Sequence, residues 1–82
     1  MITVQFFARY RETLGTEGEC LQWDASLANV DDVRQQLLAR GGVWEVLAEQ
    51  NLMCARNQEL CGLDEPITDD DEVAFFPTVT GG

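Results

Sequence analysis

The chain has 82 residues, enough for one domain with a modest core. Fifteen acidic residues against five arginines give a formal net charge of −10, with no lysine and no histidine. That balance argues against binding nucleic acid through its phosphates and against docking on an anionic membrane, and it points to partners with basic surfaces.

Without histidine or lysine there is no imidazole base, no Schiff-base amine and no histidine metal site. Any catalytic groups are therefore expected on a partner. Cys20, Cys54 and Cys61 are widely spaced and form no CxxC pair, so neither a zinc site nor a dithiol redox motif is supported. They read as free, mostly buried thiols of a reducing compartment. "MITVQFFARYRE" lacks a basic start followed by a long apolar run, and no apolar run reaches membrane-spanning length. The expected location is cytoplasmic.

The alternation of "ITVQFF" predicts a first strand with Ile2, Val4 and Phe6 toward the core and Phe7 on the opposite face. "ARYRETLG" suits a short helix closed by Gly15. "TEG" is a turn. "ECLQW" reads as a second strand with Leu21 and Trp23 inward, its direction left open. "NVDDVRQQLLARGG" is the clearest helix. Val30, Val33, Leu37 and Leu38 form one stripe, Asn29 is the cap, Asp31 and Asp32 sit in the first turn, Arg40 in the last, and Gly41 and Gly42 end it. Trp44 and Leu47 within "VWEVLAEQN" predict a second short helix or helical turn.

Residues 52–57, "LMCARN", predict a strand, "QE" its turn, and "LCGL" a short returning strand. "DEPITDDDE" carries six acids in nine residues and reads as a solvent-exposed loop. "VAFF" is the last strand, with Val73 and Phe75 on one face and Ala74 and Phe76 on the other. The order strand, strand, helix, strand, strand, strand predicts an α+β fold of the β-grasp, ubiquitin-like kind, one mixed sheet packed on one main helix. Residues 1–76 form the domain, and 77–82 a flexible tail ending in Gly81 and Gly82.

That ending carries the functional signal. Glycine has no Cβ, so the tail can thread a channel too narrow for side chains. Six extended residues reach about 20 Å. A terminal carboxylate is a poor electrophile until activated, commonly as an acyl-adenylate. A narrow, uncharged tail suits an enzyme that must bring it to ATP. Phe7, Phe76 and Leu60 are expected to form an exposed apolar patch of the kind that marks a contact site, with Arg11 beside it. Trp23 and Trp44 read as core aromatics, and the acidic run from Asp64 to Glu72 as a solvated loop.

"DEVAFFPTVTGG", "VQFFARYRETLG" and "NQEL" resemble the MoaD family, the small sulfur-carrier subunits of molybdopterin synthase, along essentially the whole chain. The resemblance implies that a MoeB-like E1 enzyme adenylates Gly82 with ATP. Sulfur from a cysteine desulfurase system then replaces AMP to leave a thiocarboxylate. The tail next enters a MoaE-like large subunit and delivers sulfur to cyclic pyranopterin monophosphate. The assembled synthase is a heterotetramer. The carrier itself binds no cofactor. Gly82 carries the sulfur, Gly81 lets the tail thread, and Phe7, Arg11, Leu60, Phe76, Pro77, Val79 and Thr80 belong to the partner interface. Two positions depart from the family pattern. Asp70 replaces a turn glycine, which asks an L-residue to adopt a left-handed conformation, and Thr78 stands where proline is common, which should loosen the tail.

The same ending also fits a ThiS-like thiamine-pathway carrier or a ubiquitin-like protein modifier, although without lysine the chain cannot link to itself. A ferredoxin would need a fourth cluster cysteine. In "DASL" an alanine separates Asp24 from Ser26, against an acyl carrier. A plain interaction domain would be indifferent to the loss of Gly82.

Overall fold

The computed structural model describes residues 1–78. Strand β1 (Ile2–Phe6) is followed by helix α1 (Arg9–Leu14), strand β2 (Gly18–Leu21), helix α2 (Val30–Leu38), a 3-10 helix (Gly42–Ala48), and strands β3 (Met53–Arg56), β4 (Glu59–Cys61) and β5 (Glu72–Phe76). The sheet order is β2-β1-β5-β3-β4. The central pair, β1 and β5, is parallel, and the other pairs are antiparallel. This is the β-grasp arrangement, one mixed sheet with its helices on one face.

The alternation in β1 buries Ile2, Val4 and Phe6 completely or nearly so. They meet Val73 and Phe75 of β5 in register, Val4 opposite Val73 and Phe6 opposite Phe75. From across the core come Val30, Val33 and Leu37 of α2, with Leu38 half-buried beside them. Leu21 is buried, and Trp23 and Trp44 pack on the core's margin. Trp44 meets Phe6 edge to face at 5.6 Å.

Helix α2 begins in a reciprocal cap. The Asp32 amide donates to Asn29 Oδ1 at 2.9 Å, and the Asn29 amide to Asp32 Oδ2 at 3.2 Å. The helix stops before Arg40, which crosses to the sheet. Its guanidinium lies 4.5 Å from the Trp44 ring centre and pairs with Glu19 of β2. Gly41 and Gly42 both adopt positive φ, 71° and 59°, and turn the chain into the 3-10 helix. Gly15 closes α1 at φ 73°, with its amide bonded to the Arg11 carbonyl.

Strands β3 and β4 are joined by a two-residue turn at Asn57 and Gln58, one residue earlier than the expected Gln58 and Glu59, and both turn residues have positive φ, 49° and 71°. These values are those of a type I′ hairpin turn, where glycine is favoured at the second position. Gln58 carries a side chain in that conformation without recompense, so Gln58→Gly is expected to stabilise the fold by about 0.5–1 kcal/mol. Thermal unfolding of the two proteins measures the difference directly, and an equal or lower midpoint for Gln58→Gly would contradict it.

The acidic segment before β5 is not simply a solvated loop. Ile67 is buried, and its amide bonds to the Ala28 carbonyl ahead of α2. Asp71 is buried as well. Its carboxylate accepts from Arg56 Nε at 2.8 Å, the Thr68 amide at 2.8 Å and Asn57 Nδ2 at 3.0 Å. The segment reverses here because Ile67 has hydrophobic space to fill and Asp71 has a cation waiting. Asp70, in the turn, has φ 74°, the left-handed conformation expected of it.

Burial by itself raises the Asp71 pKa. The Arg56 guanidinium, the Thr68 amide and the Asn57 side chain outweigh it and hold the carboxyl at about 2. A carboxylate depressed in the folded state stabilises the protein above its unfolded value, near 4, and that contribution is lost as pH falls toward 2. Asp71→Asn is therefore expected to cost about 2–3 kcal/mol at neutral pH. The gap from the parent protein should narrow between pH 4 and pH 2. Urea unfolding at several pH values tests this; a gap independent of pH would remove the charge from the explanation.

Candidate functional site

The sheet face away from α2 is open. Strand registers place Gln5, Ala74, Ala55 and Leu60 in one row across four strands. Phe76 and Met53 form the next row, and Phe7 follows β1 beside them, its amide bonded to the Phe75 carbonyl at 3.2 Å. Ala55 and Ala74 are small and lie low between their neighbours. The side chains that rise from this floor are Leu60, 69% exposed, Phe7, 43%, and Met53, 37%, with Phe76 half-buried among them. Together they make one part of the open face apolar, over β3, β4, the end of β5 and the residue after β1.

Phe7 and Arg11 also meet along one wall of a groove of about 510 Å³ between β1 and β2. Gln5 contributes to its floor, and Glu17, Gly18 and Cys20 form the opposite side. Gly18 is required there, since a Cβ would lie 2.3 Å from the Val4 carbonyl oxygen. Arg9, Arg34, Arg40 and Arg56 each pair with a carboxylate; among the described residues Arg11 is the arginine without an ion pair. It puts one positive charge at the rim of an apolar surface on a strongly acidic chain.

The chain leaves the sheet at the same end. Pro77 is buried, and the Thr78 hydroxyl donates to the Asn51 carbonyl. Thr78 therefore ties the start of the tail to the loop before β3, a bond that proline could not make, where a loosening was expected. That loop is itself held. Arg9 Nη2 contacts both Glu49 carboxylate oxygens, at 2.7 and 2.9 Å, and the Tyr10 hydroxyl donates to Glu49 Oε1 at 2.6 Å. The Arg9 bond first, then the Tyr10 bond, holds the Glu49 carboxyl below its ordinary range. Burial first, then Glu49, raises the Tyr10 phenol above its own. The tail root is thus seated on a braced corner of the domain.

Of the residues singled out from the sequence, the structure brings Phe7, Arg11, Leu60, Phe76 and Pro77 to one face and one end of the sheet. Val79, Thr80, Gly81 and Gly82 lie outside the described residues. Met53 belongs to the apolar surface and was missed, although the inward positions of Leu52 and Cys54 imply an outward residue between them. The cysteines differ in setting. Cys54 is buried, Cys61 half-buried and Cys20 exposed, so only one of the three is fully enclosed. Among the described residues no three metal-binding side chains converge, and no helix is long and apolar enough to cross a membrane. The geometry is that of an exposed apolar face next to a departing chain end.

The sequence profile of the ThiS family matches residues 4–82. The chain is 45% identical to the molybdopterin synthase sulfur carrier subunit of Escherichia coli K12, with all of both chains covered. It is 39% identical to the subunit of the same name from Haemophilus influenzae, again over both full lengths. Among solved structures, SAMP1 from Haloferax volcanii superposes with a TM-score of 0.80 at 26% identity, covering 99% of this chain and 98% of that one.

Proposed function

The chain belongs to the ThiS family, among the molybdopterin synthase sulfur carrier subunits, and on that premise we propose that it carries sulfur on Gly82 for molybdopterin synthesis. The observation that supports this most is the 45% identity to the Escherichia coli subunit across the full length, in a chain that ends in Gly81-Gly82. It is a carrier, without catalytic action of its own, that works with a larger synthase subunit. Residues 1–76 are the recognised body, and 77–82 the tail that is offered to enzymes.

The chemistry follows from the terminal carboxylate. Its oxygen attacks the α-phosphorus of ATP on a MoeB-like E1 enzyme, pyrophosphate leaves, and the acyl-adenylate is an electrophile. The outer sulfur of a cysteine persulfide from a desulfurase system attacks the Gly82 carbonyl and AMP leaves; a thiol then cleaves the acyl disulfide so formed, becoming a disulfide with the donor cysteine and freeing the thiocarboxylate. The resulting thiocarboxylate is a nucleophile, which a MoaE-like large subunit directs onto cyclic pyranopterin monophosphate. Gly81 and Gly82 let the reacting end approach other backbones closely. Phe7, Leu60 and Phe76 form the docking surface, with Arg11 at its edge, and Pro77, Val79 and Thr80 extend the contact along the tail. The setting is the cytoplasm, where ATP and the desulfurase act.

A second reading has its own support in the superposition on SAMP1: an activated Gly82 transferred to protein amines as a ubiquitin-like modifier. One experiment separates the two. The chain is incubated with ATP, a MoeB-like enzyme and a desulfurase system, and intact and C-terminal fragment masses are measured. Replacement of one oxygen by sulfur at Gly82 is the expected result. The fragment assignment matters because oxidation of Met or Cys adds nearly the same mass. An unmodified tail, with enzymes that charge another carrier in parallel, would end the sulfur reading. Isopeptide adducts in its place would establish the modifier.

A further inference from the structure

Cys54 and Cys61 face each other across β3 and β4 as register partners on the helix side of the sheet. Their sulfurs are 3.9 Å apart, and the Cys54 thiol also donates to the Cys61 carbonyl at 3.2 Å. The two-residue turn makes Arg56 and Glu59 the closing hydrogen-bonded pair of the hairpin, so alternation along the ladder makes Cys54 and Cys61 hydrogen-bonded too. In such pairs the Cα atoms lie about 5.5 Å apart, within the range that a disulfide spans. Bonding needs the sulfurs to close from 3.9 Å and the two Cβ atoms, farther apart in hydrogen-bonded pairs, to draw together by about 1 Å.

The two thiols are not equivalent. Cys54 is enclosed, opposite Phe75 of β5. Cys61 is half-buried on β4, the last strand in the sheet order, and is the one that a small molecule reaches first. Burial pushes the Cys54 thiol up to about 12 and raises the Cys61 thiol as well, so the greater exposure of Cys61 makes it the thiol that opens the reaction.

We propose that Cys54 and Cys61 are an oxidation site, forming a reversible cross-strand disulfide with a low-molecular-weight disulfide as oxidant. The Cys61 thiolate attacks one sulfur of the oxidant, forming a mixed disulfide and expelling one thiolate. Cys54 then gives up its proton, which the expelled small thiolate takes, and attacks Cys61 Sγ. The protein disulfide forms and the second small thiolate leaves. The protein dithiol is oxidised by two electrons, and the oxidant is reduced to two thiols. The product staples the hairpin that carries Leu60 and Met53 on its opposite face. This inference stands independently of the tail's chemistry.

The test uses the full-length Cys20→Ser chain, which leaves this pair alone. The folded protein is treated with oxidised glutathione, quenched in acid, alkylated and digested. The expected product lacks two hydrogens, resists alkylation at both positions, yields one peptide pair joined through Cys54 and Cys61, and reverts with dithiothreitol. A persistent glutathione adduct on Cys61, a disulfide between two chains, or full alkylation of both thiols would each overturn the proposal. Adding Cys54→Ala is expected to trap the mixed disulfide on Cys61. Its absence in a folded variant would overturn the order of attack.

Discussion

Leu60→Asp and Phe7→Asp are each expected to weaken docking on the larger synthase subunit by roughly 100-fold, about 2.7 kcal/mol. The reasoning is one of location. Leu60 is 69% exposed and already stands largely in water in the isolated chain, whereas Phe7, 43% exposed, is partly covered. A carboxylate costs the folded state little at Leu60, within about 0.5 kcal/mol, and more at Phe7. Against a partner the same carboxylate must be stripped of water inside an apolar contact. Arg11→Glu should act in the same direction and more weakly, because a charge at a rim changes encounter rate more than complex lifetime. Titration calorimetry with the purified large subunit measures the affinities, and thermal unfolding of each variant confirms that the body is intact. Wild-type affinity for both aspartate variants would remove this face from the interface.

The largest loss of stability is expected from Phe75→Ala, about 3–5 kcal/mol. Phe75 is fully buried, pairs with Phe6 on one side and Cys54 on the other, and its carbonyl accepts the Phe7 amide. The strands around it are fixed by their ladders, so the space left by the ring cannot close. A domain of this length has a total stability of about 4–12 kcal/mol, and the loss consumes a large part of it. The thermal midpoint should fall by more than about 10 °C. Phe76→Ala, one residue along on the outer face and only half-buried, should cost markedly less. If the two losses were equal in urea unfolding, the assignment of inner and outer faces at β5 would be wrong.

Much of this architecture was legible in the residues. The inner faces of β1 and β5, the stripe of α2, the Asn29 cap and the glycine that closes α1 were all readable. Each depends on neighbours a few positions away. The acidic run is where that reading went astray, because composition alone makes "DEPITDDDE" a surface loop. Burying Ile67 depends on space left between α2 and the sheet, and burying Asp71 depends on Arg56, fifteen residues away on β3. Thr78 is similar, since its partner Asn51 lies 27 residues earlier. Met53 was within reach of simple alternation and was passed over.

Residue order alone sets which side of each element is apolar, where α2 begins and that a glycine closes α1. These follow from backbone periodicity and from the absence of a Cβ, which are local properties. The folded chain, and not any single segment, sets β1 and β5 parallel at the centre and brings Phe7, Met53, Leu60 and Phe76 to one face of the sheet. It alone set Arg56 against Asp71 and Cys54 against Cys61. Those pairings depend on which long loops can close over a common core, and periodicity along a single strand carries no record of the strand that will lie beside it.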